Sequence, residues 1–439
     1  MPAVEGPVVR RLGRGPGRRS SRVAAGGLAS VALGLTLMGA APVGAAPVAA
    51  APSAAAPEAR VVADVEGPRC LQVSATTTDQ LTVKGDNAAN LALHVEEAQA
   101  LVKKAGAQPG QGVQVVVVDS GIDGFRGTTP VELPTGHGFA VAGIIAGPDQ
   151  VDPTRVDVGI APGADVLDAR FYDTLERSQE GQRIPMAADL AQRLGEIAAA
   201  REGGARSRMV VVVPAQVPYS ADLETQVDRL VGTGVLLVAA SGDRPSGEGA
   251  FPDGYEGEAK KGEDAADVIW PAAHPKAVAV GVSTPGSRGT VLRSSAIDLA
   301  APGYGAVSKA LNGGWCVVDG ASTSWAAAQV AGVAALVWSA HPDEDADQLR
   351  TRLEQTASGN GGPSSPITGY GVVQPVEAIQ RDIADLGVER TQQVRPAKPP
   401  RAQADVLAGA RHDAIWWGLG GGTALVVLLL LRPLLARRR

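Results

Sequence analysis

Aromatic residues make up only 3% of the 439-residue chain, and it holds just two cysteines, four methionines and five histidines. So few rings leave little for a core built on aromatic packing. Ala, Val and Gly dominate instead, with 55 glycines, and such a composition suits a buried parallel sheet covered by helices of small residues. Two cysteines allow one disulfide at most. Basic residues are scarce once the two ends are set aside. Leaving out the six arginines and Glu5 of residues 1–45 and the four arginines after 431 gives 30 basic and 45 acidic residues, a net charge of −15. That balance argues against nucleic-acid binding. No internal repeat is visible, so a solenoid or propeller is not expected.

What is present begins with two uncharged apolar segments, one at each end. Residues 1–22 carry Arg10, Arg11, Arg14, Arg18, Arg19 and Arg22, followed by the apolar run "VAAGGLASVALGLTLMGAAPVGAA". A basic stretch, an apolar stretch and a small-residue site in that order form a secretory signal, with cleavage expected after Ala45. The other reading of this run is a membrane anchor. Residues 414–431 contain no charge, and 18 helical residues span about 27 Å, the thickness of a bilayer core. Trp416 and Trp417 stand at the upstream edge, with Arg432 and Arg437–Arg439 at the other. Aromatic belts and inward positive charge predict a membrane helix with a cytoplasmic tail at 432–439 and the rest of the chain outside. The alternative is a buried core helix. Between signal and core lies an N-terminal extension, 46–90. Between core and membrane helix lies a polar, Pro-containing linker, 386–413.

From residue 91 onward strands and helices alternate. Helical spacing covers 91–105. "VQVVVVDSG" reads as a buried strand ending at Asp119, and "HGFAVAGIIAG" from 137 as a helix of small residues. "VDVGIAPGADVLDARFYD" predicts two short strands around an "APGA" turn. A helix over 186–201 leads to the strand "MVVVVPAQV". The helix "SADLETQVDRLVGTG" has a serine start and a glycine stop. "VLLVAASGD" and "AVAVGVST" are further buried strands, and a long apolar helix covers 325–340. This pattern predicts an α/β fold with a parallel sheet flanked by helices, spanning 91–385. In such a sheet chemistry belongs at the carboxyl ends of the strands.

Three segments carry side chains suited to chemistry. Asp119 ends a four-valine strand before a Ser-Gly turn, His137 opens a helix, and "GASTSWAAAQVAG" places Ser322, Thr323 and Ser324 before another. Each alone has a plainer reading: a turn cap, a hydrogen-bonded histidine, a helix N-cap. Together they supply a nucleophile, a base and an acid that fixes the base's tautomer. A helix starting at the serine also offers backbone N–H groups to a developing oxyanion.

The strings "VVVVDSGI", "HGFAVAGIIAG" and "GASTSWAAAQVAG", in the order Asp, His, Ser, resemble the three catalytic motifs of the subtilases. "IAPGADV" and "IDLAAPG" match further segments of that family. The resemblance covers about residues 90–380. Aligning the shared Val-Ala-Gly end implies that Ser324 is the nucleophile, with Asp119 and His137 completing the triad. An export signal, an N-terminal extension and one C-terminal membrane helix are similar in layout to the mycosins, membrane-anchored subtilases of actinobacterial type VII secretion. That likeness implies a serine endopeptidase; no cofactor or metal is expected, since the short segment between Asp119 and His137 shows no cluster of calcium ligands. Its partners would be protein or peptide substrates and components of the secretion membrane complex. The alternatives left open are a catalytically weak or inactive scaffold of that complex and a surface subtilase unrelated to secretion.

The chain departs from the family pattern at several places. Phe139 replaces a threonine and Ala328 a proline, and Ser322 stands where the family has glycine. Asp119 and His137 are only 18 residues apart, and "VVVVPAQV" replaces the family's polar substrate-binding strand. "VLLVAASGD" ends in Asp243 where the family carries the asparagine of the oxyanion hole, and an ionised carboxylate cannot donate a hydrogen bond. Outside the cell Cys70 and Cys316 would oxidise to a bridge between the N-terminal segment and the strand before "GASTS"; two buried thiols are the alternative.

Overall fold

The computed structural model describes residues 65–383, apart from 79–80, 128, 176–180, 205–206, 247–250 and 360–363, together with 416 and 422–432. The expected export signal, the linker 386–413 and residues 433–439 lie outside the described residues. The expected membrane segment is described only at 416 and 422–431, where it is helical with exposed leucines. Among the described residues no helix is long and apolar enough to cross a membrane.

In chain order the elements are α1 (Ala88–Ala92), α2 (Val95–Lys104), β1 (Val113–Val117), α3 (His137–Ala146), β2 (Asp165–Asp168), α4 (Ala187–Glu202), β3 (Arg208–Val213) and α5 (Ala221–Val231). They continue with β4 (Leu236–Ala240), β5 (Val278–Val282), β6 (Leu299–Ala301), β7 (Val307–Lys309), β8 (Trp315–Val317), α6 (Thr323–Ala340), α7 (Ala346–Thr356) and α8 (Pro375–Gln380). Six strands form a parallel sheet in the order β2-β1-β3-β4-β5-β6, and β7 pairs antiparallel with β8. Val115 sits opposite Val166 on one side and Val210 on the other.

The two-residue period of the strands separates two cores. Val115, Val117, Val210, Val212 and Val238 face α3 and α6, while Val116, Val118, Val211, Val213 and Leu237 face α4 and α5. This is why the central strands read as unbroken apolar runs: both faces are covered. Burying one such side chain contributes roughly 1.5–3 kcal/mol. Helix α6 runs through the first core with only Ser324 and Ala340 incompletely buried. Its Ala and Gly positions let it lie close to the sheet, and Gly332 packs on Ile160.

Two expectations need correction. The helix over 91–105 is two helices, broken at His94, which takes a left-handed conformation with φ 52°. The first of the two strands around "APGA" does not form; only β2 does, with an isolated bridge at Val156. Both features border one network of side-chain hydrogen bonds. The carbonyls of Asp157, Val158, Gly159 and Ile160 accept hydrogen bonds from the side chains of Asn87, Asn90 and Gln99. Side-chain amides from α1 and α2 take the place of a neighbouring strand, and the kink at His94 lets both helices reach this segment. The strands β6, β7 and β8 are three residues each, too short to show a period in sequence.

Cys70 and Cys316 are joined in a disulfide between the N-terminal segment and β8. The same seam carries backbone hydrogen bonds from Val317 N to Pro68 O and from Trp315 N to Leu81 O. Closing a loop of 246 residues stabilises the fold by about 5 kcal/mol in the chain-entropy account.

Asp298 joins the β5–β6 edge to α7. Its carboxylate accepts from Ala279 N at 2.9 Å and from the Arg350 guanidinium at 3.1 Å. Burial pushes its carboxyl up to about 6, with Arg350 pulling it down and Glu354 pushing it up. The folded chain therefore holds this proton more tightly than the unfolded chain does. The group favours the fold most below about pH 4, and that contribution is lost as pH rises through about 6. Replacing Asp298 with Asn should flatten this segment of a plot of Tm against pH. An unchanged slope between about pH 4 and pH 6 would assign it to other groups.

Candidate active site

Strand β1 has β2 on one side and β3 on the other, so the chain reverses its direction of sheet growth there, and the carboxyl end of such a strand is where sites form in open α/β sheets. Asp119 stands at that end, fully buried. Its Oδ1 accepts from Ser120 N at 2.6 Å. His137 begins α3 and is also buried, with Nδ1 at 3.0 and 2.9 Å from the two carboxylate oxygens. Because a carboxylate only accepts, this contact places the proton on Nδ1 and leaves Nε2 as the basic nitrogen. The approach needs a glycine next to the histidine. A Cβ on Gly138 would lie 2.8 Å from Gly121 O and 2.9 Å from Asp119 Oδ1. Gly138 N also donates to Ser120 Oγ at 3.0 Å, which fixes the start of α3 against the turn after β1.

A third side chain joins this pair. The Tyr172 hydroxyl, just past β2, donates to Asp119 Oδ1 at 2.9 Å and lies 3.1 Å from His137 Nδ1. Burial first, and then the Asp119 charge, push the Tyr172 hydroxyl well above its ordinary range. It therefore keeps its proton and acts as a donor. The indole of Trp325 lies against the imidazole of His137, ring centroids 4.7 Å apart and planes tilted by 34°. Trp325 directly follows Ser324, so this contact brings the start of α6 to His137. Among the described residues no hydrogen bond joins Ser324 Oγ to His137. Such contacts often tighten only when substrate binds.

Asp243 follows β4 and is turned onto the start of α6. One oxygen accepts from Thr323 N and Thr323 Oγ1, both at 2.8 Å, and the other accepts from Ser322 Oγ at 2.6 Å. Gly242 N donates to Thr323 Oγ1 at 3.2 Å, and Ser324 N donates to Ser322 Oγ at 3.1 Å. Burial pushes the Asp243 carboxyl up, against the opposing pull of the donors on Ser322 and Thr323. The backbone of Asp243 is held in turn by Gln216: the Gln216 carbonyl accepts from Asp243 N at 2.7 Å, and its amide donates to the carbonyls of Asp243 and Phe251. Among the described residues no group of three or more His, Cys, Asp or Glu side chains could hold a metal ion.

The structure thus brings Asp119, His137, Trp325 and the Ser322–Ser324 stretch together with Asp243. The Cys70–Cys316 bridge lies apart, in the seam between the N-terminal segment and β8. Sequence reasoning passed over Tyr172, Trp325 and Gln216. In a chain so poor in aromatics, a tyrosine at a strand's carboxyl end and a tryptophan beside a candidate nucleophile were the available signals. Gln216 offered none, because its role depends on the crossing of two loops.

Removing the Tyr172 hydroxyl leaves a fully buried carboxylate one donor short. A lost hydrogen bond to a charged group costs about 1.5–3 kcal/mol. Tyr172→Phe should lower Tm and slow the reaction of Ser324 with a fluorophosphonate by about tenfold or more. An unchanged labelling rate would show that Tyr172 does not hold the pair.

The chain can now be set beside known proteins. Residues 110–372, more than half of it, match the subtilase family of peptidases. Subtilisin E of Bacillus subtilis is 29% identical over 287 residues, 62% of this chain, and the match spans 66% of the length of subtilisin E. Among solved structures, the MycP3 protease from the type VII (ESX-3) secretion system is 26% identical with a TM-score of 0.53, covering 73% of this chain and 94% of that one. MycP1 with its N-terminal propeptide removed is 25% identical with a TM-score of 0.51, covering 68% and 98%. The order of Asp119, His137 and Ser324 on a six-stranded parallel sheet and the match over 110–372 lead to one conclusion: this chain belongs to the subtilase family.

Proposed function

We propose that the chain is a serine endopeptidase in which Ser324 is the nucleophile, His137 the general base and Asp119 the residue that orients the base. The observation that carries this reading is the buried Asp119–His137 contact at 2.9 Å with Trp325, the neighbour of Ser324, against the imidazole. Ser324 Oγ attacks the scissile carbonyl while Nε2 of His137 takes its proton. The tetrahedral oxyanion forms beside the N-terminus of α6, and His137 returns the proton to the leaving amine. Water then repeats the sequence on the acyl-enzyme.

The reading extends to location and partners. Residues 1–45 direct export, 46–90 form an extension, 91–385 the catalytic domain and 386–413 a linker. Residues 414–431 anchor the chain and 432–439 face the cytoplasm. The support is the Trp416–Trp417 pair upstream of the apolar segment and the arginines after it. Likeness to MycP3, a protease from a type VII secretion system, favours exported proteins as substrates and membrane components of a secretion complex as partners.

One observation favours a second reading. The carboxylate of Asp243 stands where the family has a donor. Its two oxygens accept from Ser322 and Thr323, which suits a slow enzyme or an inactive scaffold of such a complex.

Treating the membrane-extracted protein with a fluorophosphonate probe separates the two. Labelling that disappears in Ser324→Ala supports the protease; no labelling at any pH supports the scaffold. Protease added to intact protoplasts should remove the domain and leave the tail. A protected domain would overturn the proposed orientation.

A further inference from the structure

Two departures from the subtilase pattern, far apart in sequence, touch each other. Ser322 stands in place of a glycine and Asp243 in place of an asparagine, and Ser322 Oγ lies 2.6 Å from Asp243 Oδ2. The hydroxyl has one proton. It goes to the carboxylate, and the oxygen's lone pair accepts Ser324 N–H at 3.1 Å. Thr323 spends its N–H and its hydroxyl on the other carboxylate oxygen. The Gly242 N–H goes to Thr323 Oγ1, and the Asp243 N–H goes to Gln216. Each of these six donors at the junction of β4 and α6 therefore has an acceptor within the chain.

An oxyanion is stabilised by donors held ready about 2.7–3.1 Å from where its charge develops. Ser324 N–H is the donor nearest the nucleophile, and it already has an oxygen acceptor at such a distance. That oxygen belongs to Ser322. The carboxylate behind it adds negative charge where negative charge must develop.

We propose that Ser322 and Asp243 act as one unit, a self-made cap on the N-terminus of α6 that substrate must displace before Ser324 can be acylated. The inference rests on the protease reading and adds a positioning role for Ser322. A glycine at 322 would have no hydroxyl to occupy the Ser324 N–H. An asparagine at 243 would present an amide donor in place of a second acceptor. Neither change alone completes the site. With Ser322→Gly the carboxylate remains; with Asp243→Asn the hydroxyl remains on Ser324 N–H. The cap also serves the fold, because it satisfies the free N–H groups of a buried helix end. Stability and reactivity therefore oppose each other at these two residues.

The test is a double-mutant cycle on the full-length, membrane-extracted chain, with Ser322→Gly, Asp243→Asn and both together. The readouts are the rate of fluorophosphonate labelling at neutral pH and Tm. Each single change should raise the labelling rate less than about tenfold. The pair should raise it on the order of 100-fold, beyond the product of the two single effects, since one oxyanion donor in subtilisin is worth about 100- to 1000-fold. Tm should fall in every variant, so rate and stability move in opposite directions; a purely structural role would lower both. If Ser322→Gly does not fold, Ser322→Ala, which removes the same hydroxyl but restrains the backbone, takes its place in the cycle. Effects that merely multiply, or a double variant no faster than the starting protein, would overturn the cap while Ser324-dependent labelling still upheld the protease. Absence of labelling in all forms would overturn both.

Discussion

The reversal of sheet growth at β1 is the constraint on which the site depends. The chain adds β2 on one side of β1, crosses over, and adds β3 on the other. The connections then leave β1 in opposite directions, and in open α/β sheets the carboxyl end of such a strand is where sites form. Asp119 occupies that position. From it follow the burial of His137, the glycine that must come next, and the placing of Tyr172, in the segment after β2, within reach of the same carboxylate. The sheet could tolerate many volume-conserving changes in its valines. It could not tolerate a different strand order and keep these three side chains together.

The start of α6 is the second meeting point, and its electrostatics run the other way. A helix N-terminus attracts negative charge, and in a protease that attraction serves the transition state. Here a carboxylate of the chain already sits there. Asp243 and Ser322 give the helix end the hydrogen bonds it needs, and α6 is a long, almost wholly buried helix that packs against five strands of the sheet. A substrate oxyanion would compete with groups that also stabilise the resting fold. The same residues thus set both how firmly the helix is anchored and how readily the serine reacts.

Much of this was legible in the sequence. The unbroken apolar runs of β1, β3, β4 and β5 could be read because both faces of those strands are covered. Asp119, His137 and Ser324 stood out because their three strings, in that order, resemble the subtilase motifs; taken singly, a strand end, a helix start and a polar helix cap each had a plainer reading. The kink at His94 could not, because helical spacing on both sides of it is good; the hydrogen bonds that flank it, from Asn90 to Val158 and Gln99 to Gly159, are long-range. The same bonds hide the failed strand at 156–160: its composition is strand-like, but its carbonyls are met by side chains. The contact between Ser322 and Asp243 was equally hidden. Each residue was visible as a departure, but their pairing is a fact of packing across 79 residues of chain.

The surroundings of His137 give the base a direction. One ring nitrogen is held by Asp119 with Tyr172 beside it, and one face of the imidazole lies against the indole of Trp325. Phe139, two residues on in α3, packs edge-on against Phe125 and holds the first turn of the helix down. In a chain with so few aromatics, two of them, Tyr172 and Trp325, contact this one histidine. In the proposed mechanism the imidazolium formed during attack gains from the negative face of the indole as well as from the carboxylate, and burial strengthens both attractions. With Nδ1 and one face occupied, Nε2 is the nitrogen left to exchange a proton. In the proposed mechanism that nitrogen serves Ser324, whose neighbour Trp325 already ties the start of α6 to the ring.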